Sequence, residues 1–295
     1  MSINMSMKTA KNIFILFITL FCIYSNTAYA DEVNTPGQKT VLQKQLANQM
    51  KSSENPISIS LFEPTYILPY YYTASPYYAN YANNTPDNQT VMNSEFKAQF
   101  SFLVPVAYNL FGWKNSALEV AYTQLNYWQV YASSQYFRET NYEPEVFVQK
   151  FYNNWLFRTG VEHQSNGRGG MDERSWNRAY FTTQYSGVDW LVSVKVWTLI
   201  FPGESADLHN PDILYYLGRE QIVASKKWGK ATFSIEAQNL ESGFTRGFVE
   251  PSVSYQLTKH MSAYVQFFSG YGQSLIEYNH RTQAAGVGIA FNNWI

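Results

Sequence analysis

A histidine and a serine two positions apart, His163 and Ser165, have the chemistry of a general base and a nucleophile. On a β-strand, residues i and i+2 point to the same side. The residues that precede this pair on that side are mostly apolar: Trp155, Phe157, Thr159 and Val161. The opposite side carries polar residues: Asn154, Arg158, Glu162 and Gln164. A soluble enzyme would have no use for a reactive pair on the hydrophobic face of a strand. If that face meets lipid, the substrate is a lipid.

A third residue, Asn177, can complete this pair. A serine hydroxyl is a weak nucleophile until a base takes its proton, and a third group must orient that base. If residues 165–175 form a connecting loop, the strand that begins at Ser175 runs antiparallel to the first. Asn177 then lies level with His163, and its amide oxygen can accept a hydrogen bond from the imidazole. Taken singly, His163 is better read as a packing residue and Ser165 as a turn residue, but the combination favours a catalytic triad.

The first thirty residues have the pattern of a secretory signal peptide. Lys8 and Lys11 precede an apolar run over 13–23, and Ala28-Tyr29-Ala30 is a typical cleavage site. A membrane anchor helix is the weaker reading, because the apolar run is too short to span a bilayer. The only cysteine, at position 22, lies inside this segment. The mature chain would therefore have neither disulfides nor a cysteine nucleophile.

The composition indicates an exported barrel. Charged residues make up 15% of the chain and aromatic residues 18%, whereas about a quarter of a soluble protein is usually charged. The formal net charge of −1 does not indicate the basic surface that nucleic-acid binding needs. No segment after the signal is apolar over the roughly 18 residues that a transmembrane helix needs. Export, aromatic richness and the lack of such a segment predict an outer-membrane barrel.

Alternating polarity predicts the strands. Residues 95–106, 188–196, 230–238 and 248–257 each place apolar side chains on one side and polar side chains on the other. A soluble sandwich would bury the apolar side, whereas a membrane barrel turns it outward. Five aromatic residues at predicted strand ends suggest an interfacial girdle and favour the membrane: Trp113, Tyr127, Trp128, Trp176 and Trp197.

The predicted fold class is all-β, a transmembrane antiparallel β-barrel of about 12 strands over residues 58–295. The strands are expected to begin near residues 60, 93, 117, 143, 154, 175, 188, 211, 230, 248, 261 and 282. An even strand number is expected of such barrels, and the last strand would close the barrel on the first. Residues 31–57 have no pattern and are expected to form a loosely ordered N-terminal extension.

Several motifs carry a family resemblance. His163-Gln-Ser-Asn-Gly-Arg168 and Ser175-Trp-Asn-Arg178 resemble the signature of the outer-membrane phospholipase A family. The resemblance continues through 122–124, 137–144, 210–212, 269–272, 274–276 and 278–279, and it spans about residue 57 to the C-terminus. The spacing of the histidine and the asparagine also agrees with that family.

The resemblance implies an outer-membrane enzyme that hydrolyses acyl esters of phospholipids and lysophospholipids as a calcium-dependent homodimer, with its site toward the outer leaflet. Ser165 would be the nucleophile, His163 the base and Asn177 the residue that orients it. The N–H groups of Ser165 and Gly167 would stabilise the oxyanion. The implied calcium ligands are the Arg168 carbonyl and Glu173, with Asn126 supplied by the partner subunit.

The chain departs from the family pattern at three positions. Serine is usual where this chain has Asn126 and Glu173, and aspartate is frequent where it has Gly170. Asn and Glu are both competent oxygen ligands for calcium. Asp172 can replace the acid that is missing at position 170.

Three other functions remain open at this point. A passive channel fits the composition and the alternation equally well, but it gives no reason for the three reactive residues to share one face. A lipid A deacylase or another esterase would use the same chemistry on a different lipid. An adhesin or structural barrel would need long extracellular loops, which the sequence does not indicate.

Overall fold

The computed structural model describes residues 38–52, 58–202 and 208–295. The predicted signal peptide, 1–30, lies outside the described residues, as do 31–37 and 53–57 of the predicted extension. The described strands are β1 (Ser60–Leu61), β2 (Thr65–Thr73), β3 (Ser94–Tyr108), β4 (Ser116–Trp128), β5 (Phe137–Tyr152), β6 (Trp155–Ser165), β7 (Ser175–Ser186), β8 (Trp190–Leu199), β9 (Glu220–Trp228), β10 (Ala231–Gln238), β11 (Phe248–Gln256), β12 (Ser262–Tyr271) and β13 (Arg281–Asn292). The helices are α1 (Val41–Ser52), α2 (Tyr78–Tyr81) and α3 (Ile213–Leu217).

The strands close into one antiparallel barrel. Each strand from β3 to β13 pairs with the next, and β13 pairs with β2, which in turn pairs with β3. The two-residue strand β1 pairs with β3 through Ser60 and Leu103, beyond the end of β2, so β1 and β2 act as two segments of one barrel strand. The predicted 12-stranded antiparallel barrel is confirmed. Closure leaves no unpaired sheet edge, which is the condition for a sheet in lipid.

The barrel has an apolar outside and a polar inside. On β3, Phe102, Val104 and Val106 are exposed, whereas Glu95 and Ser101 on the opposite side are buried. The same alternation recurs around the ring, as expected of a barrel that is surrounded by lipid. Among the described residues, no helix combines the length and the apolarity needed to cross a membrane.

Two strand predictions differ from the structure. The strand expected near 143 begins earlier, at Phe137, because the bulge after Tyr127 lets β5 continue pairing with β4 to its end. The strand expected near 211 is the short helix α3, and β9 begins only at Glu220. The residues of α3 form a continuous apolar run instead of an alternating one, and Ile213 and Leu217 are both buried.

The predicted aromatic girdle is wrong for three of its five residues. Tyr127, Trp176 and Trp197 are 0%, 2% and 6% exposed, and they point into the barrel. Trp176 and Trp197 form an edge-to-face pair, and the Arg178 guanidinium lies 4.0 Å from the ring centre of Trp176. Aromatic rings are needed inside because they can pack against buried cations. Trp113 remains exposed.

The N-terminal extension contains the ordered helix α1, where a loose segment was expected. Leu42 on α1 is fully buried against Phe151, Leu156 and Leu191. Phe151 lies near the last residue of β5, and Leu156 and Leu191 lie near the first residues of β6 and β8. All three are at the end of the barrel away from the loop 166–174. The Leu42 N–H donates to Ser186 Oγ at 3.0 Å. The helix therefore covers the barrel interior at that end.

We expect Leu42→Ala to release α1 from the barrel. Truncating a fully buried leucine costs about 2–5 kcal/mol, because it removes apolar contact and leaves a cavity. Amide hydrogen exchange over 41–52 should accelerate in the refolded protein. Met50→Ala is the matched control, since Met50 lies on the same helix and is 57% exposed. Equal exchange in the two variants would contradict the packing role of Leu42.

Candidate active site

The three residues of the predicted triad lie at one end of two neighbouring strands. His163 on β6 is paired in register with Asn177 on β7, and Ser165, the last residue of β6, is paired with Ser175. They face the same way as Val161 and Phe181, which are both 44% exposed on the outside of the barrel. The outward placement inferred from period-two spacing is therefore found in the structure.

The imidazole of His163 is held by the asparagine. His163 Nδ1 lies 2.8 Å from Asn177 Oδ1 across the two strands. When Nδ1–H donates to an amide oxygen, the neutral ring carries its acceptor lone pair on Nε2. The contact thus selects the tautomer in which Nε2 can take a proton. His163, Ser165 and Asn177 are all half-buried.

The loop after Ser165 is organised by Asn166, which is 5% exposed. Its Oδ1 accepts from the N–H groups of Arg168 at 3.3 Å and Arg174 at 3.0 Å. Its Nδ2 donates to the Asp172 carbonyl at 2.8 Å. Sequence reasoning missed this residue, although it stands inside the motif, because an asparagine next to a glycine is also an ordinary turn residue.

Gly167 must be glycine at this place in the loop. Its φ of +63° lies in the left-handed region, and an added Cβ would stand 2.8 Å from Cε2 of Tyr142. Tyr142 is the β5 residue paired with Ser165. The loop backbone therefore runs directly over the Tyr142 ring, beside the end of the strand that carries the serine.

The side chain of Arg168 is anchored inside the barrel. Its Nε donates to Glu139 Oε2 at 2.9 Å, and a second amine of its guanidinium donates to the carbonyl of Arg138. Glu139 is buried and also accepts from Asn141 Nδ2 at 3.0 Å and the Ile276 N–H at 3.2 Å. Glu139 is a second residue that sequence reasoning missed, although its motif was part of the resemblance.

The loop offers oxygen donors that fit a calcium ion. Glu173 follows the short 3-10 helix Gly170–Asp172, and its carboxylate makes no hydrogen bond or ion pair with the described residues. The neighbouring Asp172 carboxylate accepts from Asn84. Carbonyl and carboxylate oxygens are the ligands that calcium prefers, although it takes six to eight of them. Within the described residues, no three His, Cys, Asp or Glu side chains cluster as metal ligands.

Asn126 lies apart from this loop within one chain. It is on β4 beside Thr140 of β5, whereas Ser165 pairs with Tyr142 on the other edge of β5. Asn126 Oδ1 accepts from Gln124 Nε2 at 2.7 Å and from Thr140 Oγ1 at 3.4 Å. It thus lies at the same end of the barrel as the serine, with strand β5 between them.

The comparisons with known proteins identify the family. The family model described as phospholipase A1 matches residues 42–291. A phospholipase A1 from Klebsiella pneumoniae is 33% identical over 287 residues, which cover 94% of this chain and 97% of the relative.

Solved structures of outer membrane phospholipases also resemble this chain. Outer membrane phospholipase A from Escherichia coli aligns with a TM-score of 0.74 at 32% identity, covering 85% of this chain and 98% of that one. A Salmonella typhi outer membrane phospholipase, described as a dimer with bound calcium, aligns with a TM-score of 0.76 at 34% identity, covering 84% and 97%. This chain therefore belongs to the phospholipase A1 family and is a phospholipase of the outer membrane.

Proposed function

We propose that this phospholipase hydrolyses acyl ester bonds of phospholipids and lysophospholipids through a Ser165–His163–Asn177 triad on its lipid-facing surface. The observation that carries the proposal is the 2.8 Å contact between His163 Nδ1 and Asn177 Oδ1 on the apolar outside of the barrel. Substrate in the outer leaflet can reach such a site from the side, without leaving the membrane.

The triad performs acyl transfer in two steps. Ser165 Oγ attacks the ester carbonyl carbon while its proton passes to His163 Nε2. The proton then moves to the leaving glycerol oxygen, the C–O bond breaks, and the lysophospholipid departs. Water attacks the acyl-serine with His163 again as base, and this releases the fatty acid. Asn177 stabilises the imidazolium and keeps the ring in register with the serine throughout.

The oxyanion would be stabilised by backbone donors at the end of β6. The N–H groups of Ser165 and Gly167 are the candidates, and the left-handed φ of Gly167 sets the direction of that part of the loop. Losing one such donor typically costs about 2.7–4 kcal/mol of transition-state stabilisation.

Calcium is the proposed cofactor, held by the Arg168 carbonyl, Glu173, and Asn126 of the partner subunit. When bound, calcium supplies positive charge beside the oxyanion donors. The Salmonella typhi relative is described as a dimer with bound calcium. The anchoring of Arg168 by Glu139 at 2.9 Å supports its role, because it fixes the backbone on which the carbonyl lies.

Dimerisation is the proposed means of control. This enzyme sits permanently in its own substrate, so constant activity would destroy the membrane. A calcium site and an acyl-chain groove that both need a second subunit would make activity depend on dimer formation. We propose that perturbed bilayers, with phospholipid in the outer leaflet, promote that dimer. Equal amounts of cross-linked dimer in intact and perturbed membranes would contradict this control.

We expect Ser165→Ala to abolish fatty-acid release from phosphatidylcholine mixed micelles, because the nucleophile is lost. EDTA should also abolish release by the unchanged protein. Ser262→Ala is the matched control, since it removes a hydroxyl at the opposite end of the barrel and should leave release unchanged. Fatty-acid release by Ser165→Ala, or no fatty-acid release by the folded dimer in calcium, would contradict the proposed mechanism.

Asn177→Ala should lower kcat about 10- to 100-fold with little change in KM. This decrease corresponds to the loss of one part-buried hydrogen bond, which is about 1–3 kcal/mol. The loss falls on kcat because the amide orients the base and does not bind substrate. Asn177→Asp keeps an acceptor oxygen and should recover part of the rate. A change confined to KM would indicate that Asn177 contacts the lipid instead.

Glu173→Gln should raise the calcium concentration needed for half-maximal activity about tenfold, because a neutral amide replaces a charged ligand. The rate at saturating calcium should change little. Glu241→Gln removes an exposed carboxylate from another loop and serves as the control. Identical calcium dependence in both variants would exclude Glu173 from the site.

A further inference from the structure

A recess lies on the barrel away from the triad. It is formed where the loop after β10 meets the end of β12 and the start of β13. These strands are about half-way round the ring from β6 and β7. The residues that line it include Arg246, Ser269, Tyr271 and Arg281. Two of the lining residues are cations and none is acidic.

The backbone of Arg246 is fixed, and its guanidinium makes no hydrogen bond with the described residues. Its backbone is held by Ser242, whose Oγ accepts from the Arg246 N–H at 3.1 Å and donates to the Arg246 carbonyl at 3.2 Å. Its guanidinium carbon lies 3.7 Å from the ring centre of Tyr215. Nε is buried without a hydrogen-bond partner, and the side chain forms no ion pair with the described residues. A buried donor left unpaired is costly, so this group is poised for an acceptor.

Two further donors face the same recess. Arg281 is the exposed first residue of β13 and is paired in register with Tyr271. The hydroxyl of Ser269 is buried without a partner. Two guanidinium groups beside a hydroxyl are the donor set that binds a phosphate group, because each guanidinium can donate two parallel hydrogen bonds.

The surface next to the recess is apolar. Phe267, two residues from Ser269 on β12, is 52% exposed on the outer face that Ser269 and Arg281 share. A ligand that reaches both surfaces has an anionic head and a hydrocarbon tail. The recess lies at the same end of the barrel as the triad, where the apolar belt gives way to loops. This is the level of lipid head groups.

We propose that Arg246, Arg281 and Ser269 form an arginine rim site that binds the phosphate group of a membrane lipid. The arginines donate to the phosphate oxygens, and Phe267 contacts the first part of the acyl chains. Because the site is half-way round the barrel from Ser165, its occupant is not the lipid being hydrolysed. The site is independent of the proposed catalytic mechanism.

The test uses a lipid that the enzyme cannot cleave. Ether-linked phosphatidic acid carries a phosphate monoester and has no acyl ester bond. Its dissociation constant would be measured by titration into refolded protein in a neutral detergent, using native mass spectrometry. We expect Arg246→Gln and Arg281→Gln each to weaken binding about tenfold or more, the scale of one lost charge-assisted contact. Arg219→Gln removes an exposed arginine that does not line the recess, and it should bind as the unchanged protein does.

Each other outcome would overturn the site. If Arg219→Gln weakened lipid binding equally, the lipid would be attracted by positive charge in general and not by this site. Inorganic phosphate that displaces the lipid at similar concentrations would mean a site for free phosphate. Equal binding of an ether lipid without a phosphate would mean that acyl contact alone is responsible. Fatty-acid release by the Arg246→Gln and Arg281→Gln variants should stay normal, which confirms their fold and separates this site from the triad.

Discussion

In hydrocarbon, every backbone N–H and C=O group must find its partner inside the protein, and the rest of this structure depends on that constraint. It is met by a closed ring of twelve strands, which leaves no free edge. The ring turns apolar side chains outward and polar side chains inward, the reverse of a soluble barrel. Charges therefore collect inside, where each needs a partner, whereas a side chain on the outside, such as the proposed base His163, would meet lipid directly.

The inner charges support the outer site. Arg138 is buried and contacts Glu95 at 2.8 Å and Glu277 at 2.9 Å. The next residue along β5, Glu139, receives the Arg168 side chain from the loop that follows Ser165. Removing one partner of a buried ion pair typically costs about 3–5 kcal/mol. The backbone of the loop 166–174 is thus tied to a buried network in which a shift would leave a charge unpaired.

The sequence predicted the features that follow from period two and register. The shared face of His163 and Ser165, and the position of Asn177 opposite the histidine, depend only on alternation and on loop length, and both are found. The inward position of Trp176 also follows from alternation, because it lies on the opposite side of β7 from Asn177, so the girdle prediction for it went against the period-two pattern. Features that depend on what lies across the barrel were not predictable. The order of α1 was not predictable, because it depends on the packing of Leu42 against Phe151, Leu156 and Leu191, which are far from it in sequence. Asn166 was hidden by its resemblance to an ordinary turn.

The proposed substrate site and the proposed lipid-phosphate site lie on different sides of the barrel. The proposed triad lies on β6 and β7, with Asn126 on β4, so in the proposed dimer a second subunit that supplies this residue would cover that side of the barrel. The recess with Arg246 and Arg281 lies on the far side and stays in contact with the surrounding membrane in such a dimer. A lipid bound there does not compete with substrate for the triad. The proposed dimerisation would therefore complete the calcium site while each subunit keeps a lipid contact on its free face.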